Sequence, residues 1–150
     1  MNTQINVGDD AQITATGAED GQGISLNALN DLDITDKVII NAAGALAGTG
    51  ATVKVTDDEL LAQVQVGSNA ILSTLGELEI SARGQGDVVG SVEADSSGAL
   101  SVTVTDATLK IRPVNNIIID SGADITAYGD VNLSAGTDTV SIAMITKFIH

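Results

Sequence analysis

Carboxylates dominate the reactive side chains of this sequence. They come in short clusters: Asp9-Asp10, Glu19-Asp20, Asp31 with Asp33 and Asp36, Asp57-Asp58-Glu59, and Asp120 with Asp124. Grouped carboxylates suit two kinds of chemistry. Calcium takes several hard oxygen ligands, which extracellular repeats supply from turns. Polysaccharide cleavage uses paired carboxylates, or a carboxylate with a cationic base, in one groove. Neither pattern is met. The sequence has no D-x-D-x-D-G loop and no tandem G-G-x-G-x-D, and its six bases, Lys37, Lys54, Arg83, Lys110, Arg112 and Lys147, are scattered. One tyrosine, one phenylalanine and no tryptophan leave almost no surface on which a sugar ring could stack. The acids read as a solvated face, because two exposed charges roughly 10 Å apart repel by only about 0.4 kcal/mol in water and salt removes most of that.

Other candidate motifs fail on spacing. The run GQGDVVG from Gly84 approaches a dinucleotide fingerprint but is one residue too long, and no helix pattern follows to present amides to a phosphate. A turn is expected there. Residues 42–51, AAGALAGTGA, contain Gly44-x-x-x-Gly48 without a Lys-Ser/Thr and outside any long apolar span, so a tight strand plus loop is expected. There is no cysteine, and the single imidazole is His150, which removes zinc sites, disulfides and thiol nucleophiles. No catalytic, cofactor-binding or metal-ligating residue is assigned, no cofactor is expected, and the chain is not expected to be an enzyme. Twenty acids against six bases give a net charge of −14, which argues against a nucleic-acid partner.

The elements that carry these residues are strands. Val, Ile and Thr number 45 of the 150 residues and favour the pleated conformation, while 15 Asp, 9 Asn and 16 Gly supply frequent turns. Between Val64 and Ala82 the apolar residues Val64, Val66, Ala70, Leu72, Leu78, Ile80 and Ala82 fall on even numbers, with Gln65, Asn69, Ser73, Glu77, Glu79 and Ser81 on odd ones. Period two places one face in a core and the other in water. Ile71 and Leu75 break the pattern and are expected at an edge or under a neighbour.

An internal repeat is the strongest feature. VQVGSNAILSTLGELEISA from Val64 aligns without a gap to IIIDSGADITAYGDVNLSA from Ile117, an offset of 53, with Ser68/Ser121, Ala70/Ala123, Gly76/Gly129, Ser81/Ser134 and Ala82/Ala135 identical. INVGDDAQITATG from Ile5 matches at an offset of 59, and ISLNA from Ile24 at 54, leaving a five-residue insertion within Ala18 to Gly23. Asp9, Ser68 and Ser121 share one position, so the acid does not recur as a repeated ligand would. A second element alternates with the first: Gly44-Ala45-Leu46 pairs with Gly98-Ala99-Leu100, and TVKVTD from Thr52 with SVTVTD from Ser101. The pseudo-repeats run 5–62, 64–113 and a truncated 117–150.

A repeat of this length halves to about 27 residues, within the range of stacked-repeat units. The expectation is an all-β parallel β-solenoid of about five to six coils, a single domain over 1–150, with stacked Val, Ile, Leu and Ala ladders. An antiparallel β-sandwich is the alternative, since it also shows short alternating strands. The stretch 140–149 contains Ser141, Thr146 and Lys147, is about half the length of a membrane span, and is expected to be a buried or capping strand; no membrane insertion is expected. The amino terminus does not read as a secretory signal.

The pattern apolar-x-apolar-Gly/Asp-x-x-Ala-x-apolar-Ser/Thr-Ala/Thr-x-Gly, with SGADITAYGDVNLSAGTD from Ser121 to Asp138 and GALSVTVTD from Gly98, resembles repeats of filamentous haemagglutinin-like and leukotoxin-type large bacterial adhesins. The likeness covers most of Ile5 to Asp138. It implies a right-handed parallel β-helix secreted to, or displayed on, the bacterial cell surface, and brings no catalytic residues. The expected function is a stalk or spacer segment of such an adhesin. Its partners are neighbouring repeats of the same chain and, through exposed ends, further copies; the host or surface ligand is not legible. Two alternatives stand beside it: a calcium-dependent extracellular binding module, and a bactofilin-like cytoplasmic β-helical scaffold polymer.

Overall fold

The computed structural model describes residues 1–17, 22–44, 46–97 and 100–149. Among the described residues there are strands and turns but no helix: β1 (Asn2–Val7), β2 (Gln12–Ala15), β3 (Gly23–Ala43), β4 (Leu46–Val66), β5 (Ile71–Thr74), β6 (Glu77–Ser97), β7 (Leu100–Ile119), β8 (Asp124–Ala127) and β9 (Val131–Ile149). They form three-stranded sheets in the orders β1-β4-β7, β2-β5-β8 and β3-β6-β9. Strands at the same place in the three orders make up a layer.

The pairing is parallel, which removes the antiparallel sandwich. β1 lies on β4 with Asn2 beside Leu61 and Val7 beside Val66. β2 lies on β5 with Gln12 beside Ile71, and β5 lies on β8 with Ile71 beside Asp124. These registers are offsets of 59, 59 and 53, the same offsets at which the sequence repeats. Parallel in-register stacking puts each side chain over its counterpart in the next layer, so neighbouring layers favour the same pattern of apolar, polar and turn residues.

The expected halving of the repeat does not describe the stacking. Sheet neighbours are a whole repeat apart and each sheet is three strands deep, so the fold has three layers where five to six coils were expected. The half-repeat enters in another way. The chain divides into two compact units, one of Met1–Asp31, Glu59–Gln85 and Pro113–Thr139, the other of Leu32–Asp58, Gly86–Arg112 and Val140–His150. The segments 59–85, 113–139, 32–58 and 86–112 are equal in length, each half of a repeat. A half-repeat is thus the length of chain that one layer spends in one unit.

In the first unit, the predicted even-numbered face is the core. Val64, Val66, Ala70, Leu72, Leu78, Ile80 and Ala82 have no exposure, and Val7, Ile24 and Ala28 of the first layer join them. From the third layer Ile117, Ala123, Ile125 and Ala127 pack against this core while partly exposed. Complete burial of an aliphatic side chain contributes roughly 1.5–3 kcal/mol, so the middle layer carries most of the apolar stabilisation. Ser81 departs from the expected wet face: it is buried and its hydroxyl has no hydrogen-bond partner. Ile71 and Leu75 stand exposed on the outer face of the middle layer, neither at a sheet edge nor covered. The second unit buries Leu32, Val53, Val55, Val88 and Val92, and Lys37 pairs with Glu93 across 3.5 Å.

Glycine is demanded where one layer's backbone presses on the next. Gly76 and Gly129 occupy the repeated position after the short middle strand. A Cβ on Gly76 would overlap the Gln22 carbonyl oxygen, and one on Gly129 would stand 2.8 Å from the Gly76 carbonyl oxygen. The strand spanning 140–149 exists as part of β9, but Ile145 is exposed rather than buried. The Glu19-Asp20 cluster, most of the expected insertion, Ala45, Gly98-Ala99 and His150 lie outside the described residues.

Candidate functional site

The most elaborate polar arrangement is a column of turns in the first unit, between the first and second sheets. The chain reverses through Gly8-Asp9-Asp10, Gly67-Ser68-Asn69 and Asp120-Ser121-Gly122, closing each time with a bond from the amide three residues on: Ala11 to Gly8, Ala70 to Gly67 and Ala123 to Asp120, all 3.3 Å. The third turn residue has positive φ in every layer, at 57° for Asp10, 56° for Asn69 and 79° for Gly122. Asn, Asp and Gly are the residues that tolerate this region, which explains why the column varies among them and no others.

Backbone bonds tie the turns together. Gly67 N donates to Val7 O at 2.8 Å and Asp120 N to Val66 O at 2.9 Å, while Asp10 N donates to Ser68 O at 2.9 Å and Asn69 N to Ser121 O at 3.2 Å. Side chains complete the ladder. The Asp9 carboxylate accepts from the Ser68 amide at 2.9 Å, Asp10 from the Asn69 side-chain amide at 3.4 Å, and Asp120 from Gln65 at 2.9 Å. The carboxylates predicted as a cluster at Asp9-Asp10 and at Asp120 therefore share one column, yet each is occupied by a donor from an adjacent layer. Such bonds to ionised acceptors are the stronger kind, and their chemistry here is to hold layers in register.

Other predicted acids are also engaged. Asp31 accepts from Gln85 at 3.0 Å and Asp124 from the Thr126 hydroxyl at 3.1 Å. Arg83, one of the scattered bases, lies 3.8 Å from Asp138 and 3.4 Å from the Ser134 hydroxyl. Among the described residues no group of three or more acids or histidines is placed to hold a metal ion.

Sequence reading missed a second acidic grouping. Two shallow hollows of about 180 and 170 Å³ share Glu77 and Glu79; one adds Ser25 and Gln22, the other Asp130 and Asn132. These residues come from three layers, Gly23/Glu77/Asp130 and Ser25/Glu79/Asn132 being two outward columns. Reading the aligned repeats down their columns would have found them. Their carboxylates are open to water, with no base in either lining.

GQGDVVG is corrected from a turn to the interior of β6. Its glycines answer to neighbouring layers: a Cβ on Gly84 would lie 3.3 Å from the Asn115 Oδ1, and one on Gly86 would overlap the Leu32 carbonyl. Near Gly84 the layers carry a polar seam, with Thr3 donating to Asn30 in the first layer and Asn115 donating to Thr137 at 3.1 Å in the third. Asn30 is buried and its Nδ2 lacks a partner.

No family model matches the chain, and no curated protein and no solved structure matches it. Among the described residues no helix is long and apolar enough to cross a membrane.

Proposed function

We propose that the chain is a β-solenoid spacer, a non-enzymatic stalk segment of a large bacterial surface adhesin whose stacked layers set distance and stiffness. One observation carries this reading: the spatial register of the strands equals the sequence repeat, with Ile5 beside Val64 between the first two layers and Ile71 beside Asp124 between the next two. In an enzyme or a ligand-binding module, polar side chains converge on a pocket. Here the turn carboxylates and amides are spent on the layer above or below, and the deepest apolar burial lies between layers. A repeat of this kind extends by addition of layers, which is what a spacer requires. The extracellular location and the adhesin context rest on the sequence resemblance.

The test is deletion of one repeat in phase. Removing 64–116 joins Gln63 to Ile117 and sets the third layer on the first with every column preserved. The expected product folds cooperatively with an unchanged strand signal per residue. Removing 59–85, half a repeat, joins two successive segments of the second unit, Leu32–Asp58 and Gly86–Arg112, takes away the first unit's middle layer, and is expected to abolish cooperative unfolding. If the in-phase deletion unfolds while the half-repeat deletion folds, the layer reading fails. Antibody binding to the parent protein on intact cells tests display, and recovery only inside cells would overturn it.

A further inference from the structure

The two compact units carry unequal charge. Twelve of the twenty acids fall in the segments of the first unit, with one of the six bases, Arg83, which already lies against Asp138. Most of the described acids of this unit are engaged. Asp9, Asp10, Asp31, Asp120 and Asp124 accept hydrogen bonds, and Glu59 also has a partner. Among the described residues of the unit, Glu77, Glu79 and Asp130 are the acids with no ion pair or side-chain hydrogen bond, and all three line the same hollow of about 170 Å³.

An apolar ridge stands beside that hollow. Leu75 and Tyr128 occupy one outward column in adjacent layers, at the bend between the second and third sheets, and each precedes an acid of the hollow by two residues. Ile71 extends the ridge along the outer face of β5. Its exposure is lateral. The middle layer is flanked by layers on both sides, yet Ile71 and Leu75 remain 37% and 45% exposed, so stacking of further layers leaves this face open.

We propose that this corner of the first unit docks a cationic, apolar-sided segment of a second protein, whose Lys or Arg side chains enter the hollow against Glu77, Glu79 and Asp130 while its apolar residues cover Leu75 and Tyr128. The proposal adds a lateral partner to the spacer reading and does not depend on it. Charge selects the occupant. A second copy of the chain brings a net −14 to a surface that is already acidic, and nucleic acid or an anionic lipid surface is repelled for the same reason. A metal ion leaves the ridge uncovered, and among the described residues no group of three or more acids or histidines is placed to hold one. A guanidinium or ammonium group suits both halves of the surface. The carboxylates accept its hydrogen bonds, the face of the Tyr128 ring attracts its charge, and its methylene stem packs on Leu75. A cation between Glu77 and Asp130 also offsets the repulsion of two acids in adjacent layers.

The chain reports on this surface itself, because Tyr128 is its one tyrosine and it has no tryptophan. Titration of the intact chain with a short unlabelled peptide of alternating Arg and Leu is expected to change the Tyr128 emission saturably, with a midpoint that rises with salt and agrees with calorimetry. By calorimetry, the combined changes Glu77→Gln, Glu79→Gln and Asp130→Asn are expected to weaken binding by about tenfold. Asp33→Asn, Asp87→Asn and Asp106→Asn together, which neutralise as many exposed acids of the second unit, are expected to leave it unchanged. Absence of saturable binding would overturn the proposal, as would binding that leaves the Tyr128 emission unaltered. Equal losses from the two sets of changes, or equal affinity for a peptide with Ser at every Leu, would reduce the surface to unspecific charge and overturn it too. Calcium that displaces the peptide at an ionic strength where potassium chloride does not would assign the carboxylates to a metal ion instead. The in-phase deletion tests the spacer reading separately from all of these results.

Discussion

Truncating two members of one ladder to alanine measures how far burial depends on the layer. Ile80 and Leu133 occupy the same column, one fully buried and the other 51% exposed. Each change to Ala removes three carbons, or about 2.4 kcal/mol of transfer free energy at roughly 0.8 kcal/mol per group. At Ile80 the whole of this is lost and a cavity remains between two layers, bringing the expected cost to about 3–4 kcal/mol. At Leu133 about half the side chain is already in water and no enclosed cavity forms, so about 1.2 kcal/mol is expected. With a urea slope of about 2 kcal/mol per molar, the midpoint should fall by roughly 1.5–2 M for Ile80→Ala and about 0.6 M for Leu133→Ala. Circular dichroism reads the unfolding transition. Equal shifts for the two variants would refute an open third layer, and a cost below about 1 kcal/mol at Ile80 would refute the stacked core.

Two further perturbations separate backbone from side-chain effects. Gly76→Ala drives a Cβ into the Gln22 carbonyl and is expected to cost about 1–3 kcal/mol or more by urea unfolding; a neutral result would mean that the layers are not in backbone contact there. Calcium at millimolar concentration is expected to leave the thermal midpoint unchanged, because Asp9, Asp10 and Asp120 are engaged by Ser68, Asn69 and Gln65. A saturable rise in midpoint, confirmed by heat in calorimetry, would favour the calcium-binding alternative.

Register is legible in the sequence because parallel stacking imposes it. Ile5, Val64 and Ile117 align in the chain for the same reason that they align in space, and the insertion between Gly17 and Ile24 changes the offset from 59 to 54 without disturbing either block. The number of layers is not legible in the same way, because two unlike elements share each repeat. VQVGSNAIL and GALSVTVTD have different side-chain patterns, and each finds its match only in its own copy a full repeat away. Ser81 escapes the alternation because period two assigns an orientation without knowing what stands opposite. The glycines of GQGDVVG mislead for a related reason. A turn and a strand crossed closely by neighbouring backbone both exclude Cβ, and only the position of Leu32 and Asn115 tells them apart.

The distribution of acid follows from the same stacking. A charge in one layer has its nearest outward neighbours in the layers above and below, at roughly 5 Å, where two exposed carboxylates repel by about 0.8 kcal/mol in water before screening. The turn columns of the first unit avoid this. Asp9 is followed by Ser68 and Ser121, Asp10 by Asn69 and Gly122, and Asp120 is preceded by two glycines. Asp31 and Asp138 are separated by Gln85, which bonds to Asp31, while Arg83 approaches Asp138. Glu77 and Asp130 break the rule, standing in adjacent layers on the rim of the shared hollow. Both are exposed, so water and salt absorb most of their repulsion. Repetition thus constrains the turn columns of the first unit as it does the core, one acid to a column, whereas Glu77 with Asp130 and Asp33 with Asp87 stack acid on acid at exposed positions that water and salt screen.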